Sequence, residues 1–138
     1  MSLAALPRAY PDAELFVLGL LERYLTDLGV TAKKLDTWLP DNFDPPFIRV
    51  QRTGGVPDAA DVTDYPIISI SCFGRTRMAA WEMSRKVERI MLGAKCQTVD
   101  GVLCDYAAIA EGAQQVPDLD PDDRRVDRAY GLGFRRHG

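Results

Sequence analysis

The chain has 138 residues, of which 46% are hydrophobic and 27% charged, with a formal net charge of −3. This length suits one domain with a sizeable core, and we treat residues 1–138 as a single domain. The acidic balance excludes a general electrostatic grip on DNA or RNA, which requires a clustered basic face. No stretch approaches the roughly 18 unbroken apolar residues of a membrane span, so no membrane partner is expected.

The N-terminal third of the chain predicts one helix followed by two strands. Pro11 and Asp12 suit the first turn of a helix, and leucines then recur with the 3.6-residue period as far as Gly29, a C-terminal cap. Residues 31–39 predict a strand. Residues 47–52, "FIRVQR", alternate apolar and polar side chains and predict a second strand.

The middle of the chain predicts a long loop, a strand and a second helix. Residues 53–64, "TGGVPDAADVTD", have no hydrophobic period and contain glycines, a proline and aspartates, so we expect a loop there. Residues 65–73, "YPIISISCF", alternate as a strand does. Thr76 is a suitable N-cap for a helix whose buried side chains recur at helical spacing up to Gly93.

The C-terminal third predicts two further strands around a polar loop. Residues 102–110 form the first strand, residues 114–123, "QQVPDLDPDD", the loop, and residues 124–136 the second strand. Helix, strands, helix, strands is an α+β pattern. We therefore expect a largely antiparallel or mixed sheet of about four to five strands with two helices packed on one face.

A glycine beside two arginines at a helix start, "GRTR" (74–77), invites a phosphate-binding hypothesis, because free N–H groups at a helix N-terminus attract anions. The segment has neither of the glycine-rich phosphate-binding patterns. A solvated strand-to-helix joint whose arginines meet acidic neighbours is the favoured interpretation.

Metal and enzyme chemistry find little support in the sequence. Asp118, Asp120 and Asp122 have the alternate spacing of a calcium loop, but the loop glycine and the final bidentate glutamate are missing. The sole histidine, His137, is too near the terminus to serve as a convincing base for a cysteine nucleophile. We expect no catalytic residues, no metal and no cofactor. Four acids, Asp27, Asp36, Asp105 and Glu111, remain candidates for an acid–base pair that sequence cannot select.

The three cysteines, Cys72, Cys96 and Cys104, have no metal-binding spacing and are interpreted as reduced thiols, with a Cys96–Cys104 bridge as the alternative. The aromatic residues Trp38, Trp81, Tyr65 and Tyr130 are interpreted as core or interface side chains rather than base-stacking platforms.

Four segments extend together roughly from Asp12 to Arg136: "PDAELFVLGLLERYL", "PPFIRVQRTGG", "DYPIISISCFGRTRMAAWEMSRKVERIM" and "PDLDPDDRRVDRAYGLGFRR". In order, spacing and residue types they resemble the tail terminator proteins of long-tailed phages, especially those of actinobacterial hosts. The resemblance implies a non-enzymatic virion protein that forms a hexameric ring on the tail tube, stops its polymerisation and presents a surface for head–tail joining. It implies three partners: further copies of the chain, the major tail tube protein and the head–tail connector. It also implies a lumen through which the genome passes without specific binding, a place at the head-proximal end of the tail, and assembly in the host cytoplasm.

Polar or glycine-containing segments beside strands are our candidates for subunit and partner contacts. The candidate residues are Arg49, Arg52, Gly54, Gly55, Asp58, Asp61, Arg75, Arg77, Asp122, Arg124 and Arg125. Acidic groups, either Asp58, Asp61 and Asp64 or Asp118, Asp120 and Asp122, are expected to face the lumen and repel the genome. Two other classes stay open at this point: a non-enzymatic adaptor or assembly chaperone, and a small carboxylate-dependent hydrolase or nuclease.

Overall fold

The computed structural model describes residues 2–115 and 124–136. Within them lie the helices α1 (Ala13–Glu22), α2 (Leu25–Leu28) and α3 (Arg77–Leu92). The strands are β1 (Leu35–Asp36), β2 (Phe47–Pro57), β3 (Thr63–Phe73), β4 (Thr98–Val99), β5 (Val102–Leu103), β6 (Tyr106–Gln115) and β7 (Arg125–Arg135).

Five strands form one mixed sheet in the order β1-β2-β3-β7-β6, and β4 pairs with β5 in a separate ribbon. The β1–β2 pair is parallel and the other three pairs of the large sheet are antiparallel. Helices α1 and α3 contribute buried side chains to one core with one face of the sheet. The α+β class, the strand number and the two helices on one face are therefore confirmed.

The core forms where alternating strand residues meet the apolar sides of the helices. Ile68, Ile70 and Cys72 of β3 lie on this face, and Phe16 of α1 packs edge-to-face on Phe134 of β7 with ring centroids 5.0 Å apart. The predicted alternation of β3 and β7 is confirmed by this burial. Gly19 of α1 also belongs here, because an added Cβ would lie 2.5 Å from Val99 Cγ1 of the β4–β5 ribbon.

Both predicted ends of α3, Thr76 and Gly93, agree with the structure, whereas Pro11 and Asp12, expected in the first turn of the first helix, precede α1. The Asp12 side chain accepts a hydrogen bond from Leu15 N, and Thr76 accepts one from Ala79 N, so each caps its helix N-terminus. Gly29 ends α2 with a left-handed φ of 72°. The first helix is not continuous, however. It ends at Glu22, and the short α2 begins at Leu25.

Two predicted segment types are wrong. Residues 31–39 form a 3-10 turn at Ala32–Lys34 and only a two-residue strand, because that strand needs β2 as its partner and meets it only at Ile48 and Arg49. The expected loop 53–64 is largely sheet: β2 continues to Pro57 and β3 begins at Thr63. Pairing between the two strands overrides the missing hydrophobic period, and a bulge between Arg52 and Gly54 absorbs the irregular residues.

The predicted strand 102–110 is also divided. Its first part, β5, pairs with β4, whereas β6 starts at Tyr106 and pairs with β7. Cys104, between the two, is buried and its Sγ donates to Tyr106 O. All three cysteines are free, so the alternative Cys96–Cys104 bridge is wrong. Residues 116–123, including Asp118, Asp120 and Asp122, lie outside the described residues, as does His137.

Candidate assembly surface

The Arg52 side chain makes several contacts near the turn of the β2–β3 hairpin. Its guanidinium binds the Asp64 carboxylate through two hydrogen bonds, Nη1–Oδ2 at 2.8 Å and Nη2–Oδ1 at 3.0 Å. The same side chain donates to the carbonyl oxygens of Gly54 and Gly55. Its backbone N–H donates to Glu14 of α1 at 2.9 Å. Arg52 thus connects β2 with β3 and with the first helix. Its contacts are all within the folded chain.

The two glycines of this segment have different roles. Gly55 has a φ of 93°, and an added Cβ would lie 2.0 Å from Tyr65 O. Only glycine fits there, because both the backbone angle and the close strand approach exclude a side chain. At Gly54 an added Cβ would find its nearest neighbour, Ile67 Cδ1, at 3.9 Å.

The hairpin tip carries Asp58 and Asp61 in distinct environments. Asp58 Oδ1 accepts hydrogen bonds from Val62 N at 2.9 Å and Thr63 N at 3.3 Å, so this carboxylate closes the turn. Asp61 is exposed and has a φ of 54°. Asp64, in contrast, is buried against Arg52. Of the three aspartates expected to face a lumen, Asp64 is therefore not available as surface charge.

The opposite end of the hairpin carries a second polar group. Arg125 of β7 forms two hydrogen bonds of 3.0 Å with Asp127, and its guanidinium lies 5.4 Å from the centre of the Phe73 ring. Arg49 lies two strands away in the same region. Burial and the like charge of Arg125 lower the pKa of Arg49, and Asp127 opposes them. Arg49 and Arg125 thus both lie near one carboxylate, that of Asp127.

The joint between β3 and α3 is explained by packing. An added Cβ on Gly74 would lie 2.5 Å from Ala80 N, so glycine lets the helix start close to the strand. The Gly74 N–H donates to Arg124 O, which removes one donor that a phosphate would need. Arg75 and Asp44 form a solvent-exposed ion pair at 3.7 Å. These contacts match the expected solvated joint.

The structure therefore divides the candidate residues between two ends of the sheet. Gly54, Gly55, Asp58 and Asp61 lie toward the hairpin turn, which the Arg52 side chain approaches from the middle of β2. The other candidates lie at or beside the opposite end: Arg49, Arg75, Arg77, Arg124 and Arg125. Strand β3, with 11 residues, separates the ends by about 33 Å at 3.3 Å per residue. Asp122 lies outside the described residues.

Sequence reasoning missed two polar contacts between the sheet and the helices. Arg128 of β7 is buried on the helix face of the sheet and forms an ion pair with Glu88 of α3. Alternation along β7 gave the signal, since Arg128 lies between Val126 and Tyr130 on the core side. Glu14 was also missed, because nothing local in the sequence connects it with Arg52.

The described residues contain no arrangement typical of catalysis. Within them, no group of three or more His, Cys, Asp or Glu side chains is placed to hold a metal. A cavity of about 450 Å³ between the helices is lined by Leu20, Tyr24, Asp27, Lys86, Arg89, Ile90, Gly93 and Gln97. Its one carboxylate has no acidic partner in the lining, and Lys86 donates to Asp27 O at 2.9 Å. None of the described helices is long and apolar enough to cross a membrane.

These features define a class: a small α+β protein whose polar side chains brace the fold and cover its surface. The chain matches the phage tail termination proteins over residues 9–138 and belongs to that family. It is thus a structural protein of a phage tail, and as a tail component of the virion it contacts other tail or head proteins. No curated protein matches it.

A solved structure supports the fold. A chain from the virion of a native gene transfer agent particle superposes with a TM-score of 0.57 at 11% sequence identity. The match covers 91% of this chain and 93% of that chain.

Proposed function

We propose that the chain forms a ring that caps the end of the tail tube, ends tube polymerisation and offers the surface on which head and tail join. The family match over residues 9–138 carries this proposal. The partners are further copies of the chain, in a hexamer, with the major tail tube protein on one side and connector proteins on the other. The ring occupies the head-proximal end of the tail and assembles in the host cytoplasm, with residues 1–138 acting as one domain and no catalysis involved.

The arrangement of the polar residues supports a ring. A closed ring needs two different patches on each subunit that fit one another, since identical patches give only two-fold pairs. The two ends of the sheet differ in this way: the hairpin tip exposes Asp61, whereas Arg75 and Arg77 are exposed at the other end. Opposite charges on separate patches fix the register of neighbours and exclude wrong partners.

The proposed ring also needs a lumen that does not bind the genome. The genome must move through this lumen, and negatively charged side chains facing it limit binding through like-charge repulsion. Asp58 and Asp61 remain the described candidates for this role, since Asp64 is buried.

The test measures the length of tail tubes. Purified tube protein is polymerised with and without the chain, and tubes are imaged by negative-stain electron microscopy. We expect shorter tubes with added density at one end. Heat-denatured chain is the control for non-specific effects. Unchanged tube lengths and bare ends with folded protein would overturn the proposal, and a stable monomer that binds no tube end would favour an adaptor.

A further inference from the structure

The two edges of the large sheet are protected to very different degrees. On the outer side of β2, strand β1 covers Ile48 and Arg49. The Glu14 carboxylate accepts a hydrogen bond from the Arg52 N–H, and the Arg52 guanidinium donates hydrogen bonds to the carbonyl oxygens of Gly54 and Gly55. An added strand would have to displace all of these contacts, so this edge is closed.

Among the described residues, the other edge, β6, has none of these covering contacts, although its register with β7 shifts between Ile109 and Glu111 and between Glu111 and Gln114. No other described strand pairs with its outer side. Its sequence, YAAIAEGAQQ, contains no proline or lysine, and Glu111 is its one charge. Natural edge strands usually carry such residues to prevent pairing with another chain. Tyr106 and Ile109 of this strand are exposed apolar side chains.

The pairing register shows which β6 backbone groups face outward. Arg52, Ile68, Tyr130 and Ile109 form one row across the four strands. The Arg52 N–H points away from β3, towards Glu14. Antiparallel pairs alternate between bonded and non-bonded rows, so Ile68 bonds to Tyr130, and Ile109 directs its N–H and C=O away from β7. Ile109 therefore offers an unpaired donor and acceptor at the open edge.

The N-terminal arm, residues 2–9, is an apolar segment that its own chain does not bury. Every residue of the arm is exposed, and Leu3 has a relative exposure of 85%. Its only regular structure is a single 3-10 turn at Leu3–Ala5, which is a marginal structure in isolation. The arm leaves the body at Tyr10, whose ring lies 4.4 Å from the Arg136 guanidinium. Almost all of it precedes the family match, which starts at residue 9.

The arm and the open edge have matching side-chain spacing. Leu3, Leu6 and Arg8 have the same separations as Tyr106, Ile109 and Glu111. A parallel alignment places each leucine beside an exposed apolar residue and the arginine beside the glutamate. The backbone hydrogen bonds of this alignment end before Pro7, which has no N–H to donate, and β6 is bulged just beyond Ile109, so Arg8 and Glu111 meet through their side chains alone.

We propose that the N-terminal arm of one copy adds as a parallel strand to the β6 edge of a second copy. Backbone hydrogen bonds supply the affinity and the alternate side chains the specificity, as in other cases of strand addition. Arm and edge are different patches, so the contact is head-to-tail and can repeat around a ring. The inference rests on the proposed ring function for its biological setting and names the surface that joins neighbouring subunits.

Cysteine cross-linking between copies tests this pairing. In a Cys96→Ser background, Leu6→Cys chains are mixed with Ile109→Cys chains and oxidised. Strands about 4.8 Å apart bring the two Cα atoms within reach of a disulfide. We expect a mixed dimer on non-reducing gels only when both variants are present. Leu6→Cys with Leu15→Cys, an exposed position on α1, is the matched control.

A second pair of variants separates the backbone contact from the side chain. Ile109→Pro removes the outward N–H without touching a β6–β7 hydrogen bond, whereas Ile109→Val keeps it. Self-association measured by sedimentation equilibrium should weaken about tenfold or more with proline and change little with valine. Circular dichroism checks that each variant is folded. Arg8→Glu and Glu111→Arg should each weaken association, and the double variant should restore it.

The outcomes distinguish this inference from the proposed function. A chain that stays monomeric at millimolar concentration, or gives no cross-link between Leu6→Cys and Ile109→Cys, overturns the proposed addition of the arm to β6. So does a chain lacking residues 2–9 that still caps tubes with a normal ring, which would leave the capping function intact. Cross-linked rings that never shorten tubes would instead support the addition of the arm to β6 and overturn the capping function.

Discussion

Replacing Arg52 with methionine should be among the most destabilising surface-proximal changes in this protein. Methionine keeps much of the side-chain length and removes the guanidinium that binds Asp64. The Asp64 side chain is 3% exposed and that of Arg52 is 36% exposed. After the substitution, the carboxylate stays buried without its two hydrogen bonds of 2.8 and 3.0 Å.

The magnitude follows from burial. Removing one partner of a buried ion pair costs about 3–5 kcal/mol, because the remaining charge loses its compensation. Since Arg52 is partly open to water, we place the loss of unfolding free energy near the lower end, at about 3 kcal/mol. For a chain of this size that is a decrease of roughly 10 °C in Tm.

Urea unfolding followed by far-UV circular dichroism measures the effect. Arg75→Met is the matched control, because the Arg75–Asp44 pair is exposed on both sides and should contribute under about 0.5 kcal/mol. In Arg52→Met/Asp64→Asn the loss should be smaller than the sum of the two single losses by about 1 kcal/mol or more, since both changes break one contact. A loss below about 0.5 kcal/mol for Arg52→Met would refute the brace.

Two other predictions concern the hairpin glycines and the cysteines. Gly55→Ala should cost about 2 kcal/mol or more, because φ is 93° and the Cβ would lie 2.0 Å from Tyr65 O, whereas Gly54→Ala should change stability by less than about 0.5 kcal/mol. Equal effects in thermal unfolding would contradict the assigned geometry. In the native protein at pH 8, a thiol reagent should modify Cys96 and spare Cys72. Burial raises the pKa of Cys72 to about 12, so its thiol stays protonated and unreactive, and it reacts only after unfolding in guanidinium. Rapid native labelling of Cys72 would contradict its position in the core.

Local chemistry was enough to predict the start and end of the helical segments. Thr76 accepts the hydrogen bond expected of an N-cap, and Gly29 has the left-handed backbone expected of a C-terminal cap. Asp12, expected in the first turn, is the N-cap of α1 instead. Each of these depends on neighbouring residues alone, which is why the sequence reveals it. The break between Glu22 and Leu25 was not predicted, since the leucine period continues through it.

The candidate surface shows where local reasoning stops. The arginines and aspartates were identified as polar residues beside strands, and their positions at the two sheet ends follow from the strand assignments. Their partners did not: Arg52 meets Glu14, which lies 38 positions away in sequence, and Arg128 meets Glu88 under a helix. Asp64, expected among the surface charges, became a buried brace instead.

By itself, the sequence determined the α+β class, the caps, the alternation of β3 and β7 and the resemblance to the tail terminators, because each depends on short-range pattern or on residue order. Only the tertiary structure decided that residues 53–64 extend a hairpin, that β2 is a closed edge and that no other strand in the described part of the chain pairs with the outer side of β6. These properties depend on hydrogen bonds between segments far apart in the chain. A strand edge is closed or open according to what packs beside it, and no local pattern of side chains specifies that neighbour.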